Sequence, residues 1–206
     1  MKKTMIVLFA SLFLPFISFA QRTVEITPFG GYVFPGTMQA EGGDIRFIGN
    51  GQYGGIVSIA VSPSVDVDLI YNRSDTKAQI NLPGYRYNEI PLSINYIHVG
   101  FTKNFRINTI VSPFVGYNLG GCMFYPKVDN TYETWFFSMG LDAGAKIYFA
   151  KHFGLRLQAQ AMMPIQGTGF TMFVGTGGAS GGVSVYSTLV QFGFTGGLIF
   201  RLGHVQ

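Results

Sequence analysis

The chain has little charge and almost no cysteine. Of 206 residues only 12% are charged, and Cys122 is the single thiol. One cysteine excludes a disulfide framework and any multi-cysteine metal or iron–sulfur site. Scarce charge beside 48% apolar residues excludes a disordered chain, which needs the opposite balance. Long apolar runs are missing too. Only the extreme N-terminus carries one, so nothing later meets the roughly 18 apolar residues of a membrane helix. What is abundant is glycine and aromatic side chain: 28 Gly, 20 Phe and 11 Tyr. The length suits one domain with a sizeable core.

The first residues read as an export signal. Met1-Lys2-Lys3 is a short basic start, Met5 to Phe19 is apolar, and Ser18-Phe19-Ala20 offers a small-residue cleavage site before Gln21. Pro15 breaks the apolar stretch, and no cysteine follows for a lipoprotein anchor. Residues 1–20 are therefore expected to be a signal peptide and 21–206 one mature domain. Cleavage removes Lys2 and Lys3 and leaves 12 basic against 10 acidic residues, a net charge of +2. No basic run remains to bind nucleic acid.

From Gln21 onward the apolar residues recur every second position, the period of a strand with two unlike faces. Trp135, Phe137, Met139, Leu141, Ala143, Ala145, Ile147 and Phe149 alternate with Phe136, Ser138, Gly140, Asp142, Gly144, Lys146 and Tyr148. Leu155 to Met163, Val65 to Tyr71 and Val190 to Leu202 repeat the pattern. Glycine, threonine and aromatic residues fill these segments, which disfavours helices. The spacing predicts eight strands, near 23–34, 52–61, 65–74, 88–101, 110–124, 134–149, 153–165 and 188–202. Links alternate between short turns (62–64, 102–108, 150–152) and longer loops (35–51, 75–87, 125–133, 166–187). An even number of strands with short links at one end and long loops at the other predicts an all-β fold, an eight-stranded antiparallel up-and-down barrel.

Alternation alone leaves open which face is outside. Aromatics at the strand ends of the apolar face (Tyr32, Phe34, Tyr53, Tyr71, Tyr96, Trp135, Phe149 and Phe192) suit girdles at two membrane interfaces. The other face mixes charges of both signs with glycine, serine and alanine, which suits a narrow lumen better than a soluble surface. The expectation is a transmembrane barrel. Its lumen network would comprise Glu25, Asp66, Asp68 and Asp142 facing Lys146, Arg156 and Arg201, with Cys122 as a small packing residue.

Several segments resemble the small eight-stranded outer-membrane barrels of the OmpA/OmpX type, and more narrowly the "outer membrane protein β-barrel domain" family. These are Pro28-Phe29-Gly30-Gly31-Tyr32, Glu89-Ile90-Pro91-Leu92, the run from Ser112 to Gly120, and Gly144 to Phe149 leading into Lys151 to Arg156. Thr195-Gly196-Gly197-Leu198-Ile199-Phe200-Arg201-Leu202 is similar to the family's assembly signal, with Thr195, Gly197, Phe200 and Leu202 at its defining positions. The tail Gly203-His204-Val205-Gln206 departs from the aromatic ending of many such barrels. The resemblance implies residence in the outer membrane, contact with its lipid and insertion by the barrel-assembly machinery. It implies no shared activity.

Catalysis in a barrel needs a nucleophile within hydrogen-bond reach of its base. His98 is the one histidine inside a predicted strand, on the face of Leu92, Ile94 and Tyr96. Two residues away along that face stand only Tyr96 and Gly100. His98 therefore reads as an interfacial polar residue, and no catalytic, cofactor-binding or metal-binding residue is predicted. Binding is expected at the long loops 35–51 and 166–187, where a rigid scaffold would present a protein or surface ligand. The second loop carries enough alternating apolar residues to form a hairpin. The expected role is thus a non-enzymatic structural or surface-binding one. The alternatives are a lipid-modifying enzyme, or a small channel or conduit for hydrophobic ligands.

Overall fold

The computed structural model describes residues 23–203 except 41–42, 83–84, 87–88, 106–109, 128–132, 166, 176–177 and 187–188. The predicted signal peptide lies outside the described residues. Thirteen strands follow one another: β1 (Val24–Val33), β2 (Gly36–Ala40), β3 (Gly43–Phe47), β4 (Asn50–Ser62), β5 (Val65–Leu82), β6 (Tyr85–Arg86), β7 (Ile90–Asn104), β8 (Val111–Pro126), β9 (Thr134–Tyr148), β10 (Phe153–Ile165), β11 (Gly167–Gly175), β12 (Gly178–Tyr186) and β13 (Gln191–Leu202).

Eight of these form the barrel wall. The hydrogen-bonded order is β5-β4-β1-β13-β10-β9-β8-β7, and β7 pairs back with β5, so the sheet closes on itself. Every pairing in the ring is antiparallel. Closure leaves no unpaired edge, the condition for a sheet to cross lipid. The fold is therefore the all-β eight-stranded antiparallel barrel that the alternation predicts. All the long connections leave from one end, as do the β2–β3 hairpin and the separate two-stranded sheet of β11 and β12.

The outer surface is apolar. Leu69, Val99, Val115, Leu141, Leu157 and Leu198 are exposed around its middle. Tyr53, Tyr71, Tyr125 and Trp135 stand towards the long-loop end, and Phe101, Phe149 and Phe153 towards the short-turn end. A soluble protein rarely exposes so continuous an apolar surface, whereas a belt between two aromatic girdles is what lipid requires.

Two expectations need correction. Tyr96 is not part of a girdle: it is 3% exposed and points into the lumen with Leu92 and Ile94. Leu92, Ile94 and Tyr96 on one face of β7 and Ile97, Val99 and Phe101 on the other are all apolar, so alternation could not orient it. Its register does, by placing His98 opposite Ile70 on β5 and Gly120 on β8, both of which face inward. The second correction concerns β5, which continues past Ser74 to Leu82. Its polar residues Asp75, Lys77 and Gln79 read as loop, but they sit on the outward face of a strand that rises beyond the apolar belt and pairs with β3 and β7.

Candidate functional site

The lumen divides into two zones because inward-facing residues change character along the strands. Towards the short turns it is ionic. Lys146 Nζ, 1% exposed, donates to Glu25 Oε2 at 2.9 Å and Asp66 Oδ2 at 2.7 Å. Glu25 Oε1 also accepts from Arg201 Nη2 and from the Tyr148 hydroxyl, both at 2.9 Å. Asn104 Nδ2 donates to Asp66 at 2.8 Å, and Thr102 Oγ1 to Asp68 at 2.6 Å. Arg156 meets Asp68 at 3.4 Å, lies 4.4 Å over the Phe114 ring, and donates to Gln158 at 2.7 Å. Six of the seven residues anticipated for the lumen are thus brought together in ion pairs. The seventh is not: Asp142, expected to face a cation, instead accepts from Asn118 Nδ2 at 2.7 Å. It is in no ion pair among the described residues.

A chain of amides continues upward. Gln158 donates to Gln160, Gln160 donates to Gln52 at 2.8 Å, and Asn72 donates to the same Gln52 oxygen at 2.9 Å. Above lies an apolar cluster of Phe47, Leu92, Ile94, Tyr96, Cys122, Phe124, Met162 and Leu189. Cys122 is fully buried within it.

Where the two zones meet stands a constellation that sequence reasoning missed. His98 Nε2 is 2.5 Å from Ser138 Oγ, and His98 Nδ1 is 2.5 Å from Asn118 Oδ1. Asp142 orients the amide at the end of this chain. Its oxygen accepts from the Asn118 amide NH2, which turns the Asn118 carbonyl towards His98; that oxygen can only accept, so Nδ1 carries the proton. In a neutral imidazole Nε2 is then the free base and accepts from the Ser138 hydroxyl. The partners were invisible along β7 because they lie across it. His98 stands opposite Gly120, and Gly120 opposite Ser138, in one row over three strands. A Cβ at Gly120 would lie 2.6 Å from His98 Cδ2, so the glycine gives the imidazole its path to β9.

Geometrically this is a serine, its base and an orienting amide, the arrangement that generates a nucleophile. Its surroundings are closed. His98 and Ser138 are both 0% exposed, and even a methyl group at neighbouring Gly140 would collide with Asn118 Oδ1 and approach Met162 Sδ to 2.7 Å. Backbone N–H groups of β8 and β9 are committed to the ladder rather than to an oxyanion.

The four residues expected to form an assembly signal, Thr195, Gly197, Phe200 and Leu202, all lie on β13. Thr195 is buried, while Phe200 and Leu202 face outward, exposed by 38% and 53%. Loop 35–51 contains the β2–β3 hairpin, and residues 167–186 pair as β11 and β12, Gly175 opposite Gly178.

On the outer surface, at the rim of the apolar belt, a polar cluster joins β5, β7 and the residue that follows β8. Arg73 Nη2 and Lys127 Nζ both reach Asp75 Oδ1, at 3.0 and 2.9 Å, and Ser93 Oγ donates to it at 2.5 Å. The bonds from Arg73, Ser93 and Lys127 hold the Asp75 carboxyl well below the usual carboxylate range. One row higher, Lys77 pairs with Glu89 at 2.6 Å and depresses that carboxyl too.

No protein-family model and no curated protein matches the chain. Solved structures do. Neisserial surface protein A superposes with a TM-score of 0.60 at 9% identity, over 87% of this chain and 97% of that one. The outer membrane protein OprG from Pseudomonas aeruginosa gives 0.61 at 12% identity, over 90% and 98%. The outer membrane protein AlkL, solved in lipid bilayers, gives 0.53 at 12% identity, over 90% and 93%. The chain has the fold of the small eight-stranded outer-membrane β-barrels.

Proposed function

We propose that the protein is an exported, non-enzymatic outer-membrane barrel that acts at the cell surface through the hairpins of its long-loop end. Thr195, Gly197, Phe200 and Leu202 would present β13 to the assembly machinery. The observation that carries this reading is the filled lumen: ion pairs occupy its lower half and apolar side chains its upper half. Such an interior favours a plug over a path, because an eight-stranded barrel is only wide enough for its own side chains. What is left for interaction is the end from which β2–β3 and β11–β12 rise. The test compares cells displaying the whole barrel with cells displaying one whose residues 167–186 are replaced by a two-residue turn. Adhesion to fibronectin, laminin and heparin surfaces is measured at equal surface amounts. Loss of adhesion with the hairpin supports the reading, and equal adhesion overturns it.

The Ser138–His98–Asn118 chain favours a second reading, an acyl hydrolase whose lumen opens in lipid. A fluorophosphonate probe labels an activated serine. Labelling of the folded barrel that vanishes in Ser138→Ala would establish the hydrolase, and an unlabelled barrel removes it.

A further inference from the structure

The polar rim cluster borders a groove of about 360 Å³ on the outside of the barrel, crossing β5, β7, β8 and β9. Its floor is low because Ser93, Asn95 and Met123 are short or flexible side chains between taller neighbours. Tyr71 and Arg73 form one wall, and Trp135 forms the other, its ring edge 3.5 Å from where a Cβ of Gly121 would stand. The Tyr71 hydroxyl donates to Asn95 Oδ1 at 3.1 Å, which fixes that wall. Below, the groove runs through Ile97 onto the lipid belt, where Val99 and Leu119 are exposed. It is therefore apolar at the end that meets acyl chains and polar at the end that meets headgroups.

We propose that this groove is a binding site for the phosphodiester headgroup of a membrane phospholipid. Arg73 and Lys127 share the single carboxylate of Asp75, so the trio carries one net positive charge, the complement of a phosphodiester. Asp75 engages only Nε and Nη2 of Arg73 and one proton of Lys127. Among the described residues Arg73 Nη1 and the other Lys127 protons have no carboxylate partner, which leaves them to phosphate oxygens on side chains that Asp75 already holds in place. Glu133, at the β9 end of the groove, offsets that charge, so the groove as a whole suits a headgroup that carries a cationic amine beside its phosphodiester. The acyl chains would continue down the belt between the Tyr71 and Trp135 rings, which border the lipid from either side.

The site rests on the membrane placement proposed above, and one experiment separates the two. Trp135 is the only tryptophan of the chain and lines the groove, so its fluorescence reports the groove alone. The full mature barrel is folded into digalactosyldiacylglycerol vesicles doped with a lipid brominated in its acyl chains. The dopant is either phosphatidylethanolamine, which has a phosphate but no net charge, or the galactolipid itself. Brominated phosphatidylethanolamine is expected to quench Trp135 about threefold more strongly at equal low mole fraction, the scale of exposed ionic contacts. The Arg73→Gln/Lys127→Gln variant, checked for heat-modifiable gel mobility, should abolish the preference. Equal quenching by both dopants, or a preference that survives in the variant, overturns the headgroup site while leaving the barrel in its membrane. Absence of quenching by either lipid overturns both readings.

Discussion

His98 shares a hydrogen bond with Ser138 from two strands away, reaching over Gly120 to do so. The contact lies fully inside the barrel, where neither group can fall back on water. A hydrogen bond so placed matters less for what it adds than for what its loss leaves behind. Asn118 and Asp142 extend the same dependence to four side chains on three strands.

Removing the imidazole should therefore cost more than removing the hydroxyl. His98→Leu leaves Ser138 and the Asn118 carbonyl buried without a partner, a penalty of about 3 kcal/mol. Ser138→Ala orphans only one ring nitrogen and should cost about 1 kcal/mol. Urea unfolding of the barrel in vesicles, followed by Trp135 fluorescence, measures both. Equal costs would show that the bonds are not the source of the stability.

Two adjacent glycines on β8 should respond in opposite ways. A Cβ at Gly120 meets the Ile97 carbonyl oxygen and the His98 ring, whereas one at Gly121 points outward and finds the Trp135 ring at 3.5 Å. Gly120→Ala is expected to destabilise by about 2 kcal/mol through overpacking, and Gly121→Ala to be tolerated within about 0.5 kcal/mol. The same unfolding measurement decides it.

Legibility in the sequence follows from where the physics is local. A strand with one lipid face and one lumen face writes its period into the chain, so all eight barrel strands, and the inward placement of Glu25, Lys146 and Arg156, could be read directly. Strand β7 could not be oriented, because Leu92, Ile94 and Tyr96 line the apolar half of the lumen while Ile97 and Val99 meet lipid. The outer half of β5 was hidden by Asp75 and Lys77, polar because that stretch rises above the lipid. The His98–Ser138 pair depends on register between strands 40 residues apart in sequence, which no window along one strand contains. Gly120 opposite a histidine is the one local hint.

Lys146 bridges Glu25 and Asp66 in the ionic half of the lumen, and its own replacement should be costly. Lys146→Met leaves Asp66, among the described residues, with the Asn104 bond, while Glu25 keeps Arg201 and Tyr148. The expected loss is about 4 kcal/mol, the size seen when one partner of a buried pair is removed. Neutralising the abandoned acid as well, in Lys146→Met/Asp66→Asn, should restore roughly half of it. Failure of the second change to recover any stability would mean that packing, not charge, is what Lys146 supplies.

At the rim, the Asp75 carboxyl should titrate below its ordinary value of 3.8, with Arg73 as the first cause and Ser93 and Lys127 adding to it. A carboxyl whose folded-state value is depressed adds stability that is fully present above its unfolded value and fades as pH falls through the folded one. The Arg73–Asp75–Lys127 trio is therefore expected to remain intact at pH 5 and to loosen only in the window below 3.8. The group is substantially exposed, so solvent screening keeps its share of the total stability small. Its titration is the better readout, followed by carbon NMR of labelled aspartate assigned through Asp75→Asn. In Lys127→Gln, which removes one bond but leaves Arg73 and Ser93, the midpoint should move up towards 3.8 without reaching it. A midpoint already at the ordinary value in the unmodified protein would mean that the trio does not persist in lipid, and the rim would lose its fixed pair of cations.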